Sequence, residues 1–340
     1  SVTLACQVLT ELVECGGNLV NSRLAPLVDF AMHCAGVTSL EISSRSSALT
    51  LTTTLIMHKR KMLYKQQLLL PLMSQIFELC CEGDGIDALI PEDDADPSMH
   101  QLAAQVLEDV SEHVPSKQIL PTIIELVTMN QGSDDANRLR ALLVMLALMA
   151  HGCAEVFSAE LARLMPIVYS GCSRPEQRVR EAACLAIGMF AQFLHPEILG
   201  HCQEVLPKLF SVLHDASENV QEKACYALEA FCEHLEENIL PFLQPLMERL
   251  LAMLQHGSRK TQERCTSAIA SVAMAAKTQF IPYFEAVYRL MRVLLQQSGD
   301  TELVLRSRAM ECVGVMCLAV GRDNCGLVIQ ECTNLGLQGL

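Results

Sequence analysis

The chain has 340 residues, 51% of them hydrophobic, with 25 Lys and Arg against 39 Asp and Glu for a formal net charge of −14. That apolar content can bury a large core, and the length alone allows two or three domains. The acidic balance argues against a phosphate-backbone ligand and favours basic partners, so no direct nucleic-acid partner is expected.

Sixteen cysteines are scattered without a CxxC pair and sit inside apolar helical patterns, as Cys184, Cys225 and Cys312 do. They read as buried free thiols in a reducing compartment. Ser1 leads straight into helical pattern with no charged-then-apolar leader. No secretory signal is therefore expected, and the chain reads as a piece of something longer.

A twelve-residue pattern then recurs, with apolar or small residues at offsets 0, 4, 7, 8 and 11, which is one stripe of a 3.6-residue helix. A partial copy runs through Ala5, Val8, Leu9 and Leu12, and looser copies start at Ser44, Met99 and Asn137. The sharpest are VREAACLAIGMF from Val179, VQEKACYALEAF from Val220 and TQERCTSAIASV from Thr261, forty-one residues apart; another starts at Leu305. Successive starts are about forty residues apart except from Ser44 to Met99, about fifty-five, where CEGDGIDALIPEDDADPS (Cys81 to Ser98) is inserted.

HKRK, His58 to Lys61, with Lys65 following, is the one compact basic run; it reads as a solvated loop between helices, with a targeting signal as the other reading. ALLVMLALMA, from Ala141 to Ala150, is only ten residues long. A membrane span needs about twenty, so this is a core helix and no membrane partner is expected.

Between copies lie second helical segments: ILPTIIELV, EVLPKLFSVL, ILPFLQPLMERLLAML and FIPYFEAVYRLMRVLL. Pro121, Pro207, Pro241 and Pro282 near their starts shape the first helix of each pair. Ser133, Asp134, Asp135, Asp215, Ala216 and Ser217 are turn or cap residues by type. Two helices per forty-odd residues, with no period-two strand, predict an all-α HEAT-repeat solenoid, a right-handed superhelix of antiparallel helix pairs. The expected layout is a single array over 1–340 of about eight repeats, with an acidic loop at 82–97 inserted within one of them.

No phosphate loop, Gly-rich dinucleotide turn, GxSxG elbow or HExxH helix occurs. His33, His151 and His201 stand near Cys34, Cys153 and Cys202 but lack a second pair at zinc-ligand spacing. The chain therefore reads as no enzyme, with no cofactor and no metal.

Two acidic features carry the candidate site. The insertion holds Glu82, Asp84, Asp87, Glu92, Asp93, Asp94 and Asp96 with no basic residue. Such loops are solvated linkers or partner-binding segments, and its composition admits both. In the repeat from Val220, Glu222, Tyr226, Glu229 and Glu233 are spaced four, three and four apart and share the face opposite the core stripe. Glu181 and Glu263 repeat the offset of Glu222, and Glu311 that of Tyr226, while Gly188, Ala270 and Gly314 stand at the offset of Glu229. This is either a solvated face or an acidic ladder with open pockets for Lys and Arg side chains of an extended segment. Arg180, Arg264 and Arg306, near the starts of the copied helices, read as staples between repeats.

KACYALEAF, PFLQPLMERLLAML, FIPYFEAVYRLMRVLL and the terminal QECTNLGL, together with HQLAAQVLEDVSEHVP after the acidic insertion, resemble the importin-β (karyopherin) superfamily, and within it the importin-four subgroup, over essentially the whole chain. The resemblance implies a central part of a nuclear import receptor that shuttles between cytoplasm and nucleus. It implies basic cargo such as histones or ribosomal proteins on the concave face, release by Ran-GTP, and contact with Phe-Gly nucleoporins. It also implies that the acidic loop contacts Ran or cargo. The repeats that make the family's principal Ran contact are missing, so weak Ran-GTP binding is expected here. A HEAT scaffold of another assembly, such as a phosphatase regulatory subunit, would share the period and is the rival reading.

Overall fold

The computed structural model describes residues 1–15, 20–82, 97–297, 303–326 and 328–331. They form two compact units, Ser1–Ala186 and Ile187–Leu340. Regular structure among the described residues is helical, with no strand.

The first unit holds α1 (Val2–Cys15), α2 (Leu24–Gly36), α3 (Ile42–Lys65), α4 (Leu69–Cys81), α5 (Met99–His113), α6 (Ser116–Asn130), α7 (Ala136–Met149) and α8 (Ala154–Cys172). The unit boundary falls within α9 (Gln177–Phe193). In the second unit follow α10 (Cys202–Leu213), α11 (Glu218–Leu235), α12 (Leu243–His256), α13 (Arg259–Ala276), α14 (Ile281–Leu295) and α15 (Leu303–Val320).

Odd-numbered helices are the copied ones, and each packs on the next of its kind: α1 on α3, α3 on α5 and α5 on α7 in one unit, α11 on α13 and α13 on α15 in the other. Even-numbered helices form a second layer, α2 beside α4, α4 beside α6, α6 beside α8, and α12 beside α14, with α2, α4, α6, α12 and α14 each backed by the copied helix that follows it. An isolated pair leaves apolar stripes exposed, and stacking within each unit buries them into a continuous core.

Burial follows the sequence register closely. Val220, Ala224, Ala227, Leu228 and Phe231 are all buried, as are Thr261, Cys265, Ala268, Ile269 and Val272, and Leu305, Ala309, Cys312, Val313 and Met316. The polar start at Ser44 holds too: it is buried with Ala48, Leu51, Thr52 and Leu55, and its hydroxyl lies 2.9 Å from that of Thr3, whereas Asn137 is half-buried above the buried Ala141, Val144, Met145 and Leu148. Thr52 donates to Ala48 O at 3.0 Å, which is how a hydroxyl sits in an apolar stripe without an unsatisfied group.

The first copy is shifted by one residue from the expected register. Leu12 and Val8 are 44% and 48% exposed, and the buried positions are Cys6 and Val13. The stripe is Val2, Cys6, Leu9, Thr10 and Val13, and Thr10 conceals it in the sequence because its polar side chain is satisfied by Cys6 O at 2.9 Å. HKRK is likewise not in a loop: His58 to Lys61 lie within α3.

Of the residues expected at turns and caps, Asp135 accepts from Asn137 N at the start of α7 and Asp215 Oδ1 accepts from Ser217 N, whereas Ser217, at the N-cap of α11, makes no side-chain cap bond. Ser98 and Gln101 make a capping box on α5, and Ser258 caps α13. Pro121 and Pro207 lie inside α6 and α10, Pro241 in the short 3-10 turn before α12, and Pro282 in the first turn of α14. The run ALLVMLALMA is buried throughout, and among the described residues no helix is long and apolar enough to cross a membrane.

Candidate functional site

In four of the copied helices the second position of the repeat register ties the start of the helix to the segment before it. Arg45 Nε donates to Ala35 O at 2.7 Å, Gln221 Nε2 to Asp215 O at 2.7 Å, and Gln262 Nε2 to Leu254 O at 3.0 Å. Arg180 Nη1 donates to the carbonyls of Arg174 and Pro175 at 2.9 and 2.7 Å. In each case a side chain of the copied helix binds carbonyls of the segment that leads into it, groups a helix end leaves open. With this anchor repeated, equal offsets on α11 and α13 share one face, and α15, packed on α13, continues it.

That face carries Glu222, Tyr226, Glu229 and Glu233 of α11 beside Glu263 of α13 and Glu311 of α15. Two of its acids are met by cations at one recurring offset: Arg264 and Arg308 stand three residues after their copy's start, the offset Lys223 holds in the copy from Val220. Arg264 Nε lies 3.6 Å from Glu222 Oε1, and Arg308 Nη1 lies 3.3 Å from Glu311 Oε2. Glu263 pairs within its own helix with Arg259 at 3.2 Å. Sequence reasoning took Arg264 as a staple but did not place Arg308; the basic residue at offset three in successive copies was the signal.

Glu229, Glu233, Arg308, Glu311, Ser267 and Ser271, with Ala270, Met274, Cys312 and Val315, line an open cavity of about 280 Å³. Burial pushes the Glu229 carboxyl above its ordinary range; Glu233 and Glu311 add to this, against Arg264 and Arg308. Burial likewise raises the Tyr226 phenol, whose hydroxyl lies 3.2 Å from Met189 Sδ and 3.4 Å from Gln192 Oε1. Small residues at the offset of Glu229 serve this arrangement: Ala270 lines the cavity, and Gly188 makes room for the Tyr226 ring.

Glu181, in the first unit, is buried at 3% exposure and accepts from Gln177 Nε2 at 2.7 Å. Glu82 is gripped by Arg45, whose Nη2 lies 2.9 and 2.8 Å from its two oxygens at the start of α3. Asp84, Asp87, Glu92, Asp93, Asp94 and Asp96 lie outside the described residues. Among the described residues, no group of three or more His, Cys, Asp or Glu is arranged to hold a metal ion.

Stacked antiparallel helix pairs repeating at about forty residues define a HEAT-repeat solenoid, since the tetratricopeptide period is shorter, at about 34. Residues 94–312 match the family described as importin subunit beta-1-like, TPR repeats, and the chain belongs to that family. Mouse Importin-4 is 30% identical over 221 residues, which are 62% of this chain and 20% of that protein. The crystal structure of Kap121p bound to Ste12p superposes with a TM-score of 0.88 at 25% identity, over 98% of this chain and 33% of Kap121p. Kap121p bound to RanGTP gives 0.84 at 25% identity, over 100% and 34%. The chain thus spans a fifth to a third of the length of these relatives.

Proposed function

We propose that this chain is the cargo-binding segment of a nuclear transport receptor, and that the exposed face of α11, α13 and α15 takes Lys and Arg side chains of basic cargo such as histones or ribosomal proteins. The cavity between these helices carries the reading. Ala270, Met274 and Val315 offer an apolar wall to an aliphatic stem, while Glu229, Glu233 and Glu311 meet the charged head. A long cationic side chain is the group that needs both surfaces. Arg264 and Arg308 already neutralise part of the cluster, so cargo competes with resident cations instead of meeting a bare acidic face.

Membership in the importin-β superfamily supports the transport reading, and Kap121p has been solved with Ste12p and with RanGTP. In the full-length protein Ran-GTP releases the cargo, Phe-Gly nucleoporins pass the receptor through the pore, and the protein shuttles between cytoplasm and nucleus. The acidic insertion at 82–97, set within an array of about eight repeats, contacts Ran or cargo; this chain alone holds Ran-GTP weakly.

Fluorescence anisotropy with a lysine-rich histone-tail peptide across a salt series tests the proposal. Binding that weakens with salt is expected, and Glu222→Lys/Glu229→Lys/Glu233→Lys should weaken it by at least about tenfold. No binding at low salt would overturn the reading, and an unchanged affinity in the variant would move the site elsewhere.

A further inference from the structure

The basic run of α3 has no part in that function, and its geometry gives it another. We infer that the carboxyl-terminal turns of α3 form a docking surface for an acidic polypeptide segment with apolar side chains among its carboxylates. Counted from the equivalent positions Ser44 and Met99, α3 runs seven residues, ~10 Å, past the end of α5. The overhang is a firm helix because its end is closed: Leu68 N donates to Leu63 O at 2.9 Å and Gln67 N to Tyr64 O at 3.0 Å, with Gln67 at φ 57°. This is the paired closure that ends a helix on a left-handed residue.

At 100° per residue, Arg60, Tyr64, Met57, Lys61, Lys65 and His58 follow one another around an arc of about 160°. All six are exposed, Met57 at 43% and Tyr64 at 50%, whereas Leu55, Ile56, Lys59 and Leu63 on the other side are buried. An apolar strip thus runs between Arg60 on one flank and three basic side chains on the other. A hollow of about 320 Å³ opens beside it between Asn21, Met57, Arg60, Lys61 and Met62. Among the described residues, Arg60, Lys61 and Lys65 are in none of the ion pairs.

Helix electrostatics explain only part of this arrangement. Cations in the last turn complement the carboxyl end of the helix dipole, which accounts for Lys65, but the effect fades within that turn. It does not account for His58 and Arg60 further up the helix, nor for the exposed Met57 and Tyr64. Charge complementarity selects an anionic partner, and the central apolar strip selects a polypeptide over a nucleic acid. A phosphate backbone tracks a long basic groove, whereas this surface is one helix end on a chain of net charge −14.

The test uses this chain and a short fluorescent peptide in which Glu alternates with Leu and Phe. A Gln-for-Glu peptide and a single-stranded oligonucleotide of equal charge are the comparisons. In about 50 mM salt, where screening still reaches beyond ~10 Å, the acidic peptide should bind and the Gln peptide should not. Arg60→Gln/Lys61→Gln and, separately, Met57→Ser/Tyr64→Ser should each weaken it by about tenfold and leave histone-tail binding unchanged. Carboxyl-to-amine crosslinking of the peptide to Lys61 or Lys65 in the unaltered chain reads the same contact without a substitution. Failure of the acidic peptide to bind, or equal binding by both variants, would overturn the inference. Tighter binding of the oligonucleotide, lost in the same variants, would replace the polypeptide by a nucleic acid.

Discussion

Gly188 of α9 lies directly under the ring of Tyr226 of α11: a Cβ at 188 would overlap Cε1 and stand 2.8 Å from Cδ1. The glycine fits because the neighbouring helix sends an aromatic ring across its surface, and that ring closes one side of the acidic face. Gly188→Ala should therefore destabilise the fold by about 1–2 kcal/mol, the strain of overpacking outweighing the helix propensity that alanine gains. Gly188→Ala/Tyr226→Ala should recover the propensity gain, because the clash is gone. Urea unfolding of the two variants and of Tyr226→Ala separates the terms; equal effects of Gly188→Ala with and without the ring would refute the contact.

The bond from Gln262 Nε2 to Leu254 O ties the start of α13 to the end of α12. Gln262→Met keeps the side-chain length but leaves that carbonyl without its donor, and should cost about 1 kcal/mol. The next residue is the control: Glu263 pairs with Arg259 in a half-exposed contact within one helix, so Glu263→Gln should cost no more than about 0.5 kcal/mol. Shifts in the urea midpoint at constant slope measure both. A larger loss at 263 than at 262 would show that the repeat is held by surface charge and not by the carbonyl bond.

How far the sequence revealed this architecture depends on what each residue records. Ala224, Leu228 and Phe231 are apolar because they are buried, so their spacing reports the register directly. Thr52 is buried and Thr10 partly so, yet both are polar, since their hydroxyls find a carbonyl four residues back within the same helix; at Thr10 this hid the true register of α1. The site was legible on one side only. Glu222, Tyr226, Glu229 and Glu233 share a helix, so helical spacing places them together, whereas Arg264 and Arg308 come from α13 and α15 and join them only through stacking. His58 to Lys61 were misplaced for a related reason: α3 continues past the end of α5, and its solvated end has the composition of a loop.

Arg45 is 6% exposed and holds Ala35 O and both oxygens of Glu82, joining the end of α2 and the end of α4 to the start of α3. Arg45→Met should cost about 2–3 kcal/mol: the Ala35 carbonyl loses its partner, while Glu82, 35% exposed, recovers much of its hydration. Arg45→Lys should recover only part of this, because one ammonium cannot reproduce the planar fork. Denaturant unfolding of the three proteins ranks them; full stability of the lysine variant would show that charge alone suffices.

Glu229 gives a pH dependence with a definite sign. Burial raises its folded-state pKa above 4.5, so above that raised value the ionised carboxylate costs the fold stability. As pH falls through the raised value, the folded state takes up a proton that the unfolded chain does not yet hold, and the cost is relieved. Below about 4.5 both states are protonated and the gain is complete. Glu229→Gln should therefore be more stable than the parent at pH 7, with the difference shrinking as the pH falls toward 5. Urea unfolding at both pH values reads it, and a gap that widens on acidification would reverse the assignment.

The thiols separate by environment. Burial pushes Cys80 and Cys153 up to about 12, and no opposing charge brings either back to the ordinary range. At pH 8 the thiolate fraction of such a group is on the order of a thousandfold below that of an ordinary exposed cysteine, and thiolate is the form that alkylates. Cys15 is the exposed cysteine among the described residues. Brief iodoacetamide treatment of the folded protein, followed by peptide mass analysis, should label Cys15 and leave Cys80 and Cys153 untouched; in denaturant all three should label alike. Labelling of Cys80 at the rate of Cys15 in the folded state would mean that the stack around α4 opens in solution, and the slow step would then be a local unfolding rather than proton loss.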